Sequence, residues 1–545
     1  MRIFLACPFT KYLRQGAGAP TLDPGFAAFL REAEAELARG GHTVFLAHRV
    51  EEYGAKLRPP AVCTPFDMLE MQRADCVVAI PDDSYGVHIE LGWASALGRP
   101  VVLLLPEGAR ETTPLLTGLG ALGGCDVVTV PADFVENPES RAAAFRALAA
   151  ALANPPLGRP RGPAVAFVST SFGFGPISKA VAIAIELKRR RPEVALHYFG
   201  AGLDYDFAVR SPAFDRVFRI DVDQPDELRD LVEHLGGYDA VFSVINLDIL
   251  PFWKGQKTPL YLVDSLAWMW PAPPAGIENV ERYFVQDYLL PQERVSAWRD
   301  TVPLELVAPI EATAGYGVKR NGGSAAGRLL VNLSGCGNPY VDPGLFEEYA
   351  MAIGEAVLDA AAGRELTLCC NERLAKRLRE RLAPGPGVRV GHLPHHEFLQ
   401  ALADSSLVLT SPGITTTVEA LALGRAPRFL LPQNYSQALI SERYSRTLGA
   451  EWCMAFSSFG PELECPDGLP EGEGLERVTT SLRTILREKR GALGEQIHRM
   501  VQRPARDDEV LRALRGSISR GHTHTGQSTI VTHYLKAVGR KQPVA

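Results

Sequence analysis

Apolar residues recur at two spacings along the chain, and the alternation of these spacings predicts the fold. Residues 2–7 form a short apolar run, and residues 24–39 carry apolar positions at helical spacing. Further runs of strand length begin at 43, 75, 101 and 127. Strands that alternate with helices in this way favour a parallel sheet covered by helices on both faces. Residues 1–155 are therefore expected to form a doubly wound α/β domain.

The same rhythm starts twice more after a break. Residues 156–163 are rich in Pro, Gly and Arg and indicate a linker. A strand is predicted over 164–169, followed by the turn TSFGFGPIS and a helix over 178–189. A less regular stretch over 265–328 then leads to another fresh start at 329–333. Two similar halves, 164–327 and 328–545, predict a pair of Rossmann-like domains facing a cleft. A final helix over 526–538 is expected to return to the earlier half.

Composition and charge exclude several classes of protein. The 545 residues are 46% hydrophobic and 22% charged, which is ordinary globular usage, and the formal net charge of −6 comes without a basic stripe that would suit nucleic acid. No apolar run reaches the roughly 18 residues of a membrane span, and MRIFLACPF is not typical of a signal peptide. The nine cysteines show no CxxC spacing. We therefore expect a cytoplasmic protein with reduced thiols and no metal.

A carboxylate follows a glycine-containing turn in the first domain. The segment 82–86 ends a predicted strand, and Glu90 stands four residues after Gly86, at the start of an apolar helix. Ligands of doubly wound sheets bind at the carboxyl ends of strands, where the free N–H groups of turns and helix starts favour an anion. Glu90 is then either a nucleophile for an anomeric carbon or a residue that only complements the helix dipole.

The segment 1–155 resembles the nucleoside 2-deoxyribosyltransferase superfamily. The motifs are IFLACPF, the D-x-x-x-M-x-x-A-D-x-V-V-A-I run from Asp67 to Ile80, and S-x-G-V-x-x-E-L-G-x-A from Ser84 to Ala94. The S-x-G-V version is most similar to the branch that hydrolyses nucleoside 5′-monophosphates, which includes CMP-type N-glycosidases of nucleoside-antibiotic pathways. This resemblance implies that Glu90 is the nucleophile on C1′, and that Asp67 positions the sugar or protonates the leaving base.

The resemblance also implies nucleotide-binding residues. Ser84 and the N–H groups around Gly86 would hold the 5′-phosphate, Phe9 would stack on the base, and His48 is a further candidate ligand. His88 stands where the branch often has glycine, so the phosphate or sugar contact at that position stays open. We also expect a homodimer formed through this domain.

A second candidate site lies in the last third of the chain. A strand ends in a tight turn, a Thr-rich helix start and a glutamate, and the next strand is followed by amide side chains. Helix-start N–H groups and hydroxyls suit a diphosphate, a carboxylate suits ribose hydroxyls, and amides suit sugar hydroxyls. The residues, in that order, are Gly413, Thr415, Thr416, Glu419, Asn434 and Gln437. The alternative is a plain βαβ unit with a Thr-rich cap.

This stretch resembles the donor site of GT-B nucleotide-sugar glycosyltransferases, with their G-x-(T/S)-T-x-x-E pattern, followed here by P-Q-N-x-x-Q. The loop Leu333–Gly337, with Ser334 and Gly335, is similar to their diphosphate-facing loop, and Ser171–Pro176 is similar to their first acceptor-half loop. The resemblance implies a nucleotide-sugar donor substrate and no cofactor.

One departure from the GT-B pattern concerns the general base. Many relatives carry a histidine in the first acceptor-half loop, where this chain has Phe174. The base must therefore lie elsewhere, or the acceptor needs little deprotonation. Four aspartates follow apolar runs in the acceptor half and are weak candidates, because such residues are commonly turn or cap residues. They are Asp204, Asp206, Asp248 and Asp264.

Two short histidine segments lie outside these motifs. His395 and His396 precede a predicted helix and are interpreted as solvated cap residues, with a contact to the donor as the alternative. His522 and His524 lie in HTHTGQ, which is more typical of a flexible tail than of a metal site.

Together, the two resemblances predict a bifunctional enzyme of nucleoside-antibiotic biosynthesis. It would hydrolyse the N-glycosidic bond of a CMP-like nucleoside 5′-monophosphate and transfer a sugar from a nucleotide-sugar donor to the freed base. The alternative is a GT-B glycosyltransferase with an unrelated acceptor, regulated by an N-terminal module that binds nucleotides.

Overall fold

The computed structural model describes residues 1–14, 20–108, 114–121, 124–153, 163–318, 327–336, 341–361, 363–503, 507–518 and 521–541. The chain divides into two compact units, Met1–Gly162 and Pro163–Ala545. The predicted linker 156–163 lies outside the described residues except for Pro163, and so does Gly337 of the predicted diphosphate-facing loop. The division of the second unit at 327/328 stays a prediction.

The first unit is a doubly wound parallel sheet. Its described strands are β1 (Arg2–Ala6), β2 (Leu13–Arg14), β3 (Thr21–Leu22), β4 (Thr43–Phe45), β5 (Cys76–Ala79), β6 (Val101–Pro106) and β7 (Cys125–Val130). The parallel sheet has the order β4-β1-β5-β6-β7, while β2 and β3 form a separate antiparallel pair. Strand β4 lies on one side of β1 and β5 lies on the other, so the strand order reverses between β1 and β5. The loops after these two strands therefore border the expected ligand crevice.

The helices of the first unit cover this sheet. The described helices are α1 (Pro24–Arg39), α2 (Ala47–Val50), α3 (Pro60–Arg73), α4 (Tyr85–Ala96), α5 (Pro114–Gly118) and α6 (Pro138–Ala153). Helix α1 shows why the sequence pattern works. Asp23 caps it by accepting from the N–H groups of Gly25 at 2.9 Å and Phe26 at 3.0 Å, and its apolar stripe is buried in the core.

The second unit contains two parallel sheets. The strands of the first sheet are β8 (Ala164–Ser169), β9 (Ala195–Gly200), β10 (Arg216–Arg219), β11 (Ala240–Val244), β12 (Leu260–Asp264), β13 (Arg282–Gln286) and β14 (Leu304–Val307). Those of the second are β15 (Arg328–Asn332), β16 (Glu365–Cys369), β17 (Val388–Gly391), β18 (Leu407–Thr410) and β19 (Arg428–Phe429). The orders are β10-β9-β8-β11-β12-β13-β14 and β17-β16-β15-β18-β19. The strand order therefore reverses between β8 and β11 in the first of these sheets and between β15 and β18 in the second.

Helices flank both of these sheets. In chain order, those described are α7 (Phe174–Arg190), α8 (Gly202–Val209), α9 (Pro225–Leu235), α10 (Gln292–Arg299), α11 (Pro343–Ala360), α12 (Glu372–Leu382), α13 (His395–Asp404), α14 (Ile414–Ala422), α15 (Tyr435–Leu448), α16 (Glu471–Glu488), α17 (Arg490–Gln502), α18 (Asp507–Arg515) and α19 (Gly526–Lys541). Helix α19 packs against α7, where Arg190 donates to Thr532 Oγ1 at 2.6 Å and to Ser528 Oγ at 2.5 Å.

The expected α/β fold class is confirmed: a doubly wound parallel sheet is followed by two further parallel, Rossmann-like sheets. Two details differ from the expectation. Strands β13 and β14 and helix α10 lie in the stretch 265–328, where the sequence predicted little regular structure. Helix α4 begins at Tyr85 rather than Glu90, and α7 begins at Phe174 rather than at 178. Of the helices that the structure describes, none combines the length and apolar character needed to cross a membrane.

Candidate active sites

The loops after β1 and β5 are tied together in the first unit. Lys11 Nζ lies 2.8 Å from Asp82 Oδ1, and the Tyr12 hydroxyl donates to Asp82 Oδ2 at 2.6 Å. Asp82 and Asp83 have left-handed backbone angles, with φ of 31° and 56°, which short polar side chains tolerate better than most. This linkage fixes the crevice at the sheet edge, and Phe9 lies in the loop just after β1.

The N-terminus of α4 opens at the same edge. Ser84 is its N-cap and accepts from the N–H of Val87 at 3.5 Å, while Gly86 lies in the first turn. The N–H groups of a first helical turn have no partner within the helix and attract anions. Glu90 lies beyond this first turn, so the interpretation of Glu90 as a residue that only complements the helix dipole is wrong.

Glu90 and Asp67 form a pair of interacting carboxyl groups on the packed helices α4 and α3. Burial and, secondly, the charge of Asp67 raise the pKa of Glu90 to about 8. Burial and the charge of Glu51 raise the pKa of Asp67 to about 6, against the opposing effect of Arg58. The charge of Glu90 also helps to raise the pKa of the Cys7 thiol, directly after β1. Both predicted catalytic carboxyl groups thus lie near the carboxyl end of β1.

His48 is packed against Phe9, and their ring centroids are 4.6 Å apart. It is only 2% exposed, and its Nε2–H donates to the carbonyl oxygen of Pro8 at 2.8 Å. Burial lowers the pKa of His48 to about 4, so the ring is neutral at physiological pH. His48 therefore holds the loop that carries Phe9, and direct contact between His48 and a nucleotide stays a prediction.

A cavity of about 570 Å³ in the second unit is lined by the loops at both points where the strand order reverses. Segments after β8 and β11 form one side, and segments after β15 and β18 form the other. Ile245, at the end of β11, has a φ of 63° that is strained for a β-branched residue. Such strain is found where the surrounding structure holds a functional loop in place.

The structure brings the predicted donor residues together around this cavity. Lining residues are Ser334, Gly335, Gly413, Thr415, Thr416, Asn434 and Gln437. Ser334, Thr415 and Thr416 also line a second cavity of about 70 Å³, to which Glu419 contributes. The helix start that was predicted to hold a diphosphate therefore lies between the large cavity and the glutamate that was predicted to bind ribose.

Two of the predicted donor ligands have structural partners of their own. Glu419 is 2% exposed, and its Oε1 accepts from His395 Nε2 at 2.9 Å. The interpretation of His395 as a solvated cap is wrong, because this histidine side chain is only 7% exposed. Asn434 caps α15 by accepting from the N–H of Gln437 at 2.9 Å, which leaves its amide nitrogen for a ligand.

The four candidate bases of the predicted acceptor half lie in different surroundings. Asp204 is buried and accepts from Ser169 Oγ at 2.9 Å, and Asp264 is buried and accepts from the Tyr283 hydroxyl at 2.7 Å. Neither of these lines the cavity, nor does Asp206 on α8, whereas Asp248 does. Asp204 and Asp264 therefore have structural partners instead of access to an acceptor.

Asp223 is a cavity-lining carboxylate that the sequence analysis missed. It accepts from Thr170 Oγ1 at 3.0 Å and from the N–H of Ser171 at 3.2 Å, both in the loop after β8. Burial raises its pKa above the ordinary value, although those two hydrogen bonds oppose the shift. No motif surrounds Asp223, and only its place after the short strand β10 could have drawn attention to it.

The HTHTGQ segment is held in place rather than flexible at its first histidine. His522 Nε2 lies 2.9 Å from Asp287 Oδ2, directly after β13. Within the ranges that the structure describes, no group of three or more potential metal-ligating side chains occurs.

No protein-family model and no curated protein matches the chain. Among solved structures, UGT89C1 of Arabidopsis thaliana complexed with UDP has 12% identity, with 69% of this chain and 99% of that chain covered and a TM-score of 0.43. The CMP N-glycosidase BcmB of Clostridium botulinum has 22% identity, 27% and 96% coverage and a TM-score of 0.20. BlsM has 34% identity, 28% and 94% coverage and a TM-score of 0.23. With TM-scores this low, the comparisons say nothing about the sites, and the candidate sites are argued from the geometry of this chain alone.

Proposed function

We propose that the first unit hydrolyses the N-glycosidic bond of a nucleoside 5′-monophosphate, CMP-like in kind, and that the second unit transfers a sugar from a nucleotide-sugar to the freed base. The observation that carries the first half is the pair Glu90 and Asp67, whose pKa values are both raised at the crevice edge of the sheet. Interacting carboxyl groups with separated pKa values are characteristic of acid–base and glycosyl-transfer chemistry.

In the first unit, the Glu90 carboxylate attacks C1′ while the bond from C1′ to the base breaks. Asp67 gives its proton to the leaving base, and water then hydrolyses the glycosyl ester on Glu90 with Asp67 taking up the proton. In the free unit at neutral pH the proton resides on Glu90, because its pKa is the higher of the two. The positive charge that develops at C1′ favours ionised Glu90, so the proton moves to Asp67 as the substrate reacts.

In the second unit, the large cavity suits a donor and an acceptor together. The nucleoside diphosphate group of the donor would lie at the start of α14, with its ribose toward Glu419 and its sugar in the large cavity. Asp223 accepts the ring N–H proton of the base, the base nitrogen bonds to the anomeric carbon, and the bond to the diphosphate breaks. The raised pKa of Asp223 makes it a stronger base than an exposed carboxylate.

Two activities joined in one chain are made in equal amounts, and the base that one releases is a possible acceptor for the other. This is the reason to prefer the freed base as acceptor over an unrelated molecule.

We also propose that the first unit forms a homodimer, through a face of α3 and α4. Five large apolar side chains there are 41–90% exposed: Val62, Phe66, Leu69, Tyr85 and Ile89. Apolar patches of this kind mark interaction surfaces. Sedimentation should show a dimer for the wild-type chain and a monomer for Phe66→Asp. A monomeric wild-type chain at micromolar concentration contradicts this proposal.

The competing function is a nucleotide-binding module that regulates a glycosyltransferase. Incubation of the protein with single nucleoside monophosphates, followed by mass spectrometry, separates the two. Release of a free base supports the hydrolase. Binding of a monophosphate without turnover supports the regulatory module. The same mixtures with a panel of nucleotide-sugars then reveal whether the freed base is glycosylated.

A further inference from the structure

Lys179 is a buried cation in the middle of the second unit that neither motif includes. It lies on α7 in an otherwise apolar stretch and is only 3% exposed. Its Nζ donates to Thr415 Oγ1 at 2.5 Å and to the carbonyl oxygen of Gly175 at 3.3 Å. The bond to Thr415 joins the first half of the unit to the second. A lysine this deeply buried normally has an anionic partner, because burying an unpaired charge is costly.

No carboxylate forms an ion pair with Lys179 among the residues that the structure describes. Its two hydrogen-bond acceptors are neutral. Burial lowers the pKa of Lys179 to about 8, although the charges of Glu419 and Asp264 oppose the shift from farther away. The ammonium group is therefore largely charged at neutral pH and lacks a close counter-ion.

The surroundings of Lys179 are built for an anion. Lys179, Gly413, Thr415 and Ser334 line the same cavity, and α14 points its N-terminus there. Gly175 allows the close approach, since a Cβ at that position would lie 3.3 Å from Thr415 Oγ1 and 3.8 Å from Lys179 Nζ. The first half thus supplies a cation at the point where the second half supplies free N–H groups.

We propose that Lys179 binds the diphosphate of the nucleotide-sugar donor and stabilises the negative charge that develops on it as the nucleoside diphosphate leaves. The inference rests on the proposed function of the second unit. Without donor, Thr415 holds the ammonium group in place; with donor, a diphosphate oxygen becomes its anionic partner. Because Lys179 belongs to one half and the helix start to the other, the diphosphate is gripped by both halves of the cleft.

Binding of inorganic pyrophosphate, a panel of nucleoside diphosphates and the matching nucleosides tests this inference. Lys179→Met keeps the length of the side chain and removes its charge. We expect pyrophosphate and nucleoside diphosphates to bind about 10- to 100-fold more weakly, because a charge-assisted hydrogen bond is lost, while the nucleosides bind within about threefold of wild type. Lys188→Met is the matched control, since Lys188 lies on the same helix but pairs with Asp215 at 2.6 Å and does not line the cavity.

Thermal unfolding without ligand separates a binding role from a structural one. If Lys179 serves a ligand, Lys179→Met should be at least as stable as wild type, because an unpaired buried charge has been removed. Equal diphosphate affinity in wild type and Lys179→Met, or an equal loss for nucleosides and diphosphates, overturns the inference alone. A wild-type protein that binds none of the nucleoside diphosphates overturns the proposed donor site together with the inference.

Discussion

At the residue scale, Glu90 and Asp67 are distinguished by their surroundings and not by their chemical type. Both are carboxyl groups, but burial acts more strongly on Glu90, and each group raises the pKa of a neighbour. The higher pKa belongs to the residue that must be ionised to attack. The free unit therefore holds its nucleophile mainly protonated at neutral pH, and this has a measurable consequence.

Base release should be fastest between about pH 6 and about pH 8, where the pair of carboxyl groups holds one proton, and should slow at lower and at higher pH. Below this range Glu90 stays protonated, and above it Asp67 has no proton to give to the leaving base. Asp67→Asn removes the group that gives this proton, so it should lower the maximal rate and remove the fall in rate at high pH. Glu90→Gln should slow base release by a factor on the order of 10³ or more. Measured pH profiles of kcat/KM check all three.

The stability of the Glu90 variant provides the control. The pKa of Glu90 is raised from 4.5 to about 8 in the folded chain, so its ionisation favours unfolding, and this effect grows as the pH rises through that interval. Glu90→Gln should therefore unfold at a higher temperature than wild type at pH 8, and at a similar temperature at pH 4. A Gln variant that releases base at the wild-type rate shows that Glu90 is not the nucleophile.

Asp223 provides the second residue-scale prediction. Asp223→Asn should slow sugar transfer about 10²- to 10⁴-fold, which is the usual contribution of a general base, and should leave nucleoside diphosphate binding unchanged. Asp206→Asn is the control, because Asp206 is exposed on α8 and does not line the cavity. Transfer kinetics with saturating donor and isothermal titration with a nucleoside diphosphate measure the two effects. Full transfer activity in Asp223→Asn would assign the base to another group, with Asp248 next to be tested.

At the element scale, both candidate anion sites are helix starts. Helix α4 begins after Ser84 and α14 begins after Gly413, and each follows a strand at a point where the strand order reverses. The free N–H groups of the first turn are supplied by the backbone, so the site depends on where the helix begins more than on any one side chain.

A nucleoside 5′-monophosphate should therefore be a much better substrate for base release than the free nucleoside. Each charge-assisted hydrogen bond to the phosphate contributes about 1.5–3 kcal/mol, so the preference in kcat/KM should exceed tenfold. Ser84→Ala should reduce this preference without affecting sugar transfer by the second unit. Comparable efficiency on CMP and cytidine would contradict a phosphate site at α4 and favour a deoxyribosyltransferase-like activity.

The sequence predicted the strands and amphipathic helices well, since their apolar spacing is set by local geometry. It misplaced the starts of α4 and α7, because Gly86 and Gly175 were interpreted as turn residues although a first helical turn tolerates glycine and needs no internal hydrogen bond. It could not find Asp223 or the pairing of His395 with Glu419, because these depend on strand order and on contacts between residues far apart in the chain.

At the scale of the whole molecule, each unit has the apolar core and sheet of an independent domain. The core of the first unit draws on residues between Ile3 and Leu152, while residues such as Phe167, Leu330 and Phe398 share a core cluster in the second. The two halves of the second unit thus share one core. The two units have separate cores, so a substitution in one unit should leave the chemistry of the other intact.

This independence permits a crossed experiment with Glu90→Gln and Glu419→Ala. With a monophosphate and a productive nucleotide-sugar, Glu90→Gln should form no detectable glycosylated base, because no base is released. Glu419→Ala should form roughly 5- to 100-fold less than wild type, because donor binding loses about 1.5–3 kcal/mol when the buried carboxylate is removed. Base release should persist in Glu419→Ala. Free base should restore product formation in Glu90→Gln and not in Glu419→Ala, as followed by mass spectrometry at a donor concentration near the wild-type KM. If wild type transfers sugar but free base does not rescue Glu90→Gln, the base is not the shared intermediate, and the second unit glycosylates a different acceptor.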